Sequence, residues 1–407
     1  METALIIIGA GPAGLMAAWT AARALPPGGV LVLDRLPDPG AKLAVTGGGR
    51  GNLSHAAAEE EFAAAFGRRG RFTIPAFRAL PPDELRGRLQ SIGAPTIVDP
   101  AGRIYPRSQS AAAVRDALVR ACRDAGVRFE FNHAVERLTS PVTPDGLWRV
   151  DAITARAVLL AAGGQSAPRL GSDGSGFALA ASLGHAITPP VPALVSIHTQ
   201  ETWPGTLSGV SLADAAVSIA GMKPSAVRGE ILLTHRGLSG PAVLNLSGRV
   251  ARLRHDGQPV ALRLGLLPCP PDVSRLRRTA GTTRVLSWLA DSFPRALAET
   301  LLALAGISSD QTFSRLSSAD ERALARVLTD CSLTVSGIGG FAESMVTAGG
   351  VSLKQVRSDT LESRLTPRLF FAGEILDLDG PTGGWNLQWA FCSGHLAARA
   401  ACAGLAG

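Results

Sequence analysis

Near its N-terminus the sequence runs Leu5-Ile6-Ile7-Ile8 directly into Gly9-Ala10-Gly11-Pro12-Ala13-Gly14, followed by an alanine-rich stretch through Ala24. The order is an apolar strand, a tight turn and a helix, and few architectures other than a Rossmann-like nucleotide fold accommodate it. The glycines permit the sharp turn, the close approach of a pyrophosphate and the close packing of helix on strand. The start of the helix offers unpaired amides and the positive end of its dipole. A second apolar run, Val30 to Leu33, ends in Asp34, twenty residues beyond Gly14. A carboxylate at the end of that second strand can take ribose hydroxyls. Gly9, Ala10, Gly11, Pro12, Ala13, Gly14, Asp34 and Arg35 are therefore expected to bind a dinucleotide.

Two later segments narrow the ligand. Lys42, Thr46, Gly47, Gly48, Gly49, Arg50 and Asn52 form a glycine-rich stretch within the loop expected over 37–51. Its backbone can lie against a planar or phosphorylated ligand. Near the C-terminus a short apolar strand at 369–372 runs into Gly373-Glu374, where a carboxylate can hold ribityl hydroxyls. Gly383 and Gly384 then open a helix at Trp385, Asn386 and Leu387, and its N-terminus can face the pyrimidine edge of a flavin and stabilise negative charge there. Two nucleotide segments bracketing an insertion suit FAD, which needs grip at both ends. No second strand-preceded GxGxxG exists, since Gly337-Ile-Gly-Gly340 lacks the spacing and the acid. NAD(P)H is thus expected as a transient reductant rather than a resident ligand.

Between these segments, 111–125 has helical spacing, 127–131 reads as a strand, and 157–162 is an all-apolar strand suited to burial on both faces of a sheet. From Val195 to about Leu267 short alternating runs suggest β-structure, barrel or sandwich. Residues 273–328 have a helical period. The fold class expected is α/β, a two-segment Rossmann-like FAD domain interrupted by an inserted β-barrel and a small helical subdomain. The boundaries are 1–194 for the first FAD segment, 195–270 for the barrel and 271–330 for the helical part. Residues 331–344 return to the barrel, and 345–407 form the second FAD segment.

The chain resembles the BaiN/RdsA-type NAD(P)/FAD-dependent oxidoreductases, also described as YhiN-like or aminoacetone-oxidase-like flavoproteins. The motifs that carry the resemblance are Thr46-Gly-Gly-Gly-Arg-Gly-Asn-Leu53, Ala162-Gly-Gly-Gln-Ser166 through Asp173-Gly174, Gly184-His185 with Pro192-Ala-Leu194, Thr234-His-Arg-Gly-Leu-Ser-Gly-Pro241, Thr347-Ala-Gly-Gly-Val351 and Gly373-Glu through Gln388. The resemblance spans nearly the whole chain and implies the inserted barrel and helical subdomain. With it, Ala134, Val135, Ala162, Gly163, Gly164 and Asp173 complete the expected cofactor-binding set. The family commonly carries Gly-Gly-Gly-Arg-Cys-Asn, but position 51 here is glycine, so any role of that thiol is missing.

Arg50, presented by the glycine loop, and Tyr105, the sole tyrosine, are the candidate catalytic side chains. His185, His235 and His395 read as structural. The reaction expected is hydride transfer, with three alternatives. One is NAD(P)H-linked C=C reduction of a small molecule or of uridine in ribosomal RNA. The others are oxidation of a small amine such as aminoacetone, and flavin binding without turnover. The formal net charge of +7 would suit phosphate contacts, but only Lys42, Lys223 and Lys354 are lysines among 40 basic residues, which reads as an arginine-favouring composition. Five scattered cysteines without a CxxC pair fit reduced, buried thiols and exclude a dithiol relay. No metal spacing, leader or run long enough to span a bilayer is present, so a cytoplasmic protein without membrane contact is expected. The oligomeric state is not legible.

Overall fold

The computed structural model describes residues 2–143, 146–222 and 226–405; Lys223 lies outside them. The chain divides into two compact units, Met1–Pro192 with Phe341–Gly407, and Ala193–Gly340.

The first unit is built on a seven-stranded sheet. Its parallel core places Arg128–Glu130, Val30–Leu33, Glu2–Ile8 and Ile153–Leu160 side by side. Leu5 to Ile8 pair with Val30 to Leu33 on one side and with Ala157 to Leu160 on the other, so all three strands end together. The strand Ile153–Leu160 serves two partners along its far edge. Its first half pairs antiparallel with Trp148–Val150, and its second half takes Leu369–Phe371 in parallel. The returning C-terminal segment is thus part of the same sheet. Leu5, Ile6, Ile7, Leu159 and Phe371 are fully buried, as unbroken apolar strands require when both faces are covered.

Two helices cover one another across the termini. The opening helix, Pro12–Ala22, packs on the closing helix, Trp385–Leu405, at a pair of small residues: a Cβ on Gly394 would lie 2.2 Å from the Ala13 carbonyl oxygen. Two turns past Ala13, Thr20 Oγ1 is joined to His395 Nδ1 at 2.9 Å in the core. Burial, with Arg88 and Arg399 nearby, lowers the His395 pKa from 6.5 to about 4. The unfolded chain therefore takes up a proton that the folded chain refuses. Stability conferred by the neutral ring is complete above pH 6.5 and falls as pH drops toward 4, by on the order of 3 kcal/mol at most. Denaturant midpoints measured across that window should fall steeply for the wild type and less steeply for His395→Gln. Parallel pH profiles would refute this role.

The second unit holds a closed six-stranded barrel in the order Ile197–Thr199, Gly237–Ser239, Val227–Thr234, Ser211–Ile219, Ala261–Gly265 and Cys331–Ile338, which pairs back to the first. Every pairing is antiparallel, and Leu212 and, beyond a register shift, the alternate residues Ala215, Val217 and Ile219 are buried. The stretch expected to be wholly β contains a 15-residue helix, Pro241–His255. Pro241 sits in its first turn, after a glycine at φ 90°, and Ala242, Val243, Leu246, Ser247 and Val250 are buried at helical spacing. The alternating character of its flanks obscured that period. Four helices follow, Val273–Ala280, Val285–Ala290, Arg295–Ala305 and Ser318–Thr329, the last opened by a reciprocal capping box between Ser317 and Asp320. Four cysteines are buried, but Cys269 is exposed, against the expectation that all are interior.

Candidate functional site

The ends of the parallel strands and the turns that follow them define the site, all within the first unit. At the first turn, Gly9 has φ 105°, and a Cβ there would lie 2.4 Å from the Ala161 carbonyl oxygen. A Cβ on Gly14 would lie 1.8 Å from the Gly9 carbonyl oxygen. At Gly11, by contrast, an added Cβ would meet nothing within 4 Å, and no side chain caps the opening helix. The first and last glycines therefore close the turn, whereas the middle one leaves open the approach to unpaired helix amides.

Asp34 latches this turn. Its Oδ2 accepts from the Ala10 amide at 2.6 Å and its Oδ1 from the Leu36 amide at 2.8 Å. Burial raises its pKa, and the two amides partly oppose that rise. Each carboxylate oxygen retains a lone pair for a hydroxyl, so the latch and a ribose role are compatible. Past the neighbouring strand Arg128–Glu130 the His133 amide donates to the Asp34 carbonyl oxygen at 2.9 Å, and Ala134 and Val135 follow it in the chain. Arg35 and Asp173, both expected at the cofactor, form an ion pair with each other, and Asp173 also accepts from the Ser175 hydroxyl.

The stretch at 37–51 is more ordered than the loop expected from its glycines. A one-turn helix, Ala41–Ala44, leads into a 3₁₀ turn, Thr46–Gly49. Gly47, Gly48, Gly49 and Gly51 all have φ between 58° and 86°, a region that side chains disfavour. Open space surrounds Gly48 and Gly49. At Gly51 a Cβ would lie 3.1 Å from both Cα and Cβ of Ala111, so a thiol-bearing residue would be strained here as well as crowded.

Lys42 Nζ donates to Glu374 Oε2 at 2.7 Å, while Glu374 Oε1 accepts from the Thr347 amide at 2.8 Å. Thr347 Oγ1 in turn accepts from the amides of Gln165 and Ser166, just past Ala162, Gly163 and Gly164. A Cβ on Gly164 would collide with both Thr347 and Glu374. One carboxylate thus ties together segments from four parts of the chain.

The start of the closing helix completes the site. Gly383 and Gly384 have φ 118° and 98°. Asn52 Oδ1 accepts from the Gly384 amide at 3.3 Å while its Nδ2 donates to the Ser54 carbonyl. Ser54 Oγ donates to Gln388 Oε1 at 2.6 Å. Asn386 bonds its own turn at Gly380 and Pro381, and Leu387 packs partly into the core. Trp385 stacks on His55 with ring centroids 4.6 Å apart, and Trp389 Nε1 donates to the Gly373 carbonyl.

The two catalytic candidates meet each other. The Arg50 guanidinium lies 4.8 Å from the Tyr105 ring centre, and Arg50 Nε donates to Gln109 Oε1 at 2.9 Å. His185 bonds the Ala180 carbonyl and Ser363 in the core, as a structural histidine would, while His235 is exposed in the barrel unit. Gln109 and His55 escaped the sequence reading. Gln109 carries no motif signal, whereas His55, three residues past Asn52, could have been found by extending that loop. Among the described residues no group of three or more His, Cys, Asp or Glu could hold a metal, and no helix is long and apolar enough to cross a membrane.

An uncapped helix start beside an open glycine, a carboxylate at the end of the second strand, and a second glycine-opened helix start fit FAD and define a two-segment Rossmann flavoprotein, an FAD-dependent oxidoreductase. The HI0933-like protein Rossmann domain model matches residues 3–400. The chain belongs to that family, which contains the BaiN and RdsA types. It is 34% identical over 408 residues, 97% of this chain and 98% of the relative, to a 3-dehydro-bile acid delta(4,6)-reductase of Clostridium scindens. It is 30% identical over 410 residues, 97% and 96%, to a ribosomal RNA dihydrouridine synthase of Escherichia coli. Among solved structures, the 3-ketosteroid delta1-dehydrogenase of Sterolibacterium denitrificans covers 99% of this chain and 100% of its own at TM-score 0.54 and 14% identity. Quinol fumarate reductase of E. coli covers 100% and 71% at TM-score 0.53 and 16% identity. Both structures share the fold.

Proposed function

We propose that the protein uses NAD(P)H to reduce a carbon–carbon double bond conjugated to a carbonyl in a small molecule. The observation that carries this reading is similarity along 97% of the chain to two relatives whose names both denote reduction of a ring double bond. Bound FAD supplies the two-electron chemistry. This chain's residues would hold it at Gly9–Gly14 and Asp34, at Gly383 and Gly384, and along the glycine turn. NAD(P)H comes and goes: Gly337-Ile-Gly-Gly340, at the end of the barrel strand Cys331–Ile338, does not open a helix. A small substrate is favoured over ribosomal RNA because the relative of higher identity is named for a bile acid, and because one arginine in each of the two densest basic stretches, 68–71 and 275–278, is tied to the fold. Arg69 pairs with the buried Asp377, and Arg277 pairs with Glu321 and the Phe313 carbonyl.

Anaerobic mixing of the FAD-loaded protein with NADPH or NADH should bleach the flavin, and a conjugated enone should restore its colour. A flavin that neither nicotinamide bleaches would refute the reductase reading. Tight RNA binding that weakens steeply with salt would move the substrate from a small molecule to RNA.

A further inference from the structure

We propose that Arg50 is an oxyanion-binding group aimed by Gln109, and that its ligand is the oxygen of an enolate-like or phenolate-like molecule. The inference rests on the reductase reading. Within the turn 46–51 only Thr46 and Arg50 carry polar side chains, and the Thr46 hydroxyl donates to the Leu43 carbonyl at 2.7 Å. The guanidinium is the exposed polar group of this turn, and the same turn has open space at Gly48 and Gly49.

Its side-chain partner is neutral. Arg35, Arg69, Arg78, Arg88 and Arg103 each pair with a carboxylate, and Lys42 in the same site pairs with Glu374. Arg50 is held by a neutral amide instead, and among the described residues no carboxylate pairs with it. Its full positive charge is kept, with Nε–H engaged and the terminal fork available. Tyr105 beneath the guanidinium restrains its plane. Gln109 holds this arrangement from a backbone at φ 52°, anchored by its own amide and by Nε2, which both donate to the Pro106 carbonyl. A glutamine costs stability in the left-handed region, and strained residues of this kind cluster at functional sites.

The chemistry follows. Reducing an enone adds a hydride, with its electron pair, to the β carbon; the π electrons move to the carbonyl oxygen, and a proton from water then reaches the α carbon. NAD(P)H, through the flavin, is the electron source. Arg50 makes and breaks no covalent bond. Its guanidinium binds the negative oxygen through a planar fork suited to it.

The test uses p-nitrophenolate as the enolate stand-in, titrated into FAD-loaded enzyme and followed by the phenolate and flavin spectra, with no turnover required. Arg50→Gln should weaken binding at least ~10-fold, as loss of a charged hydrogen-bonding partner does. Gln109→Gly suits the left-handed backbone, so the chain should fold and keep FAD, while phenolate binding weakens several-fold. Gln109→Glu is the decisive variant. It preserves the hydrogen bond but neutralises the cation, and should bind phenolate less well than Gln109→Gly. Phenolate affinity at the wild-type level in Arg50→Gln or Gln109→Glu would overturn the proposal. Should no nicotinamide bleach the flavin while these variants still lose phenolate, the reductase reading fails and the oxyanion site stands.

Discussion

Gly14→Ala will purify with little or no FAD and will melt several degrees below the wild type. The added Cβ would lie 1.8 Å from the Gly9 carbonyl oxygen, and the obstacle is backbone, which cannot rotate away as a side chain can. Either the opening helix lifts off the strand Glu2–Ile8 or the turn opens, and both displace the amides that face the ligand. Overpacking of this kind costs about 1–3 kcal/mol, or roughly 2–4 °C per kcal/mol for a unit of this size. Gly257→Ala, just past the helix Pro241–His255 in the barrel unit, is the control. Its φ of 75° imposes backbone strain of about 1 kcal/mol, but its Cβ would meet nothing within 4 Å, so flavin content should change far less. Flavin-to-protein absorbance ratios and thermal melts measure both. A Gly14→Ala protein as yellow and as stable as the wild type would refute the role of the turn.

Glu374→Ala should have the second largest effect. The substitution removes the acceptor for both Lys42 and the Thr347 amide, at a place where the Lys42 and Glu374 side chains are each only 21% exposed. Leaving an ammonium and an amide without a partner there costs roughly 2–4 kcal/mol. The turn at Gly163-Gly164 is held through Thr347, so FAD retention should fall together with stability. Glu374→Gln keeps an acceptor for the Thr347 amide and loses the ion pair, which places it between alanine and the wild type. Denaturant unfolding and FAD titration check the order. Equal stability in all three proteins would show that the carboxylate does not tie these segments together.

The fold was legible where one period governed one element. The strand at Leu5, the turn at Gly9 and the helix starting at Trp385 could be read because glycine spacing and apolar runs have few structural meanings. The helix Pro241–His255 was missed because its apolar positions merged with those of neighbouring short strands. The order within 37–51 was missed because consecutive glycines do not say which turn they make. At the site, single residues were legible and their pairings were not. Lys42 and Glu374, or Arg35 and Asp173, each looked like a ligand contact, yet the fold brings them to one another across hundreds of residues or around a strand end. Gln109 matters through its backbone strain and its neutral amide, and no spacing rule encodes either.

Central to the proposed function is that two segments of one sheet hold FAD at both ends. Titrating the protein, freed of flavin, with FAD and with FMN under identical conditions tests that grip most directly, because FMN lacks the adenylate that the first turn and Asp34 would hold. One tightly bound FAD per chain, with FMN binding far more weakly, is the predicted result. FMN binding as tight as FAD, or no flavin binding at all, would contradict it.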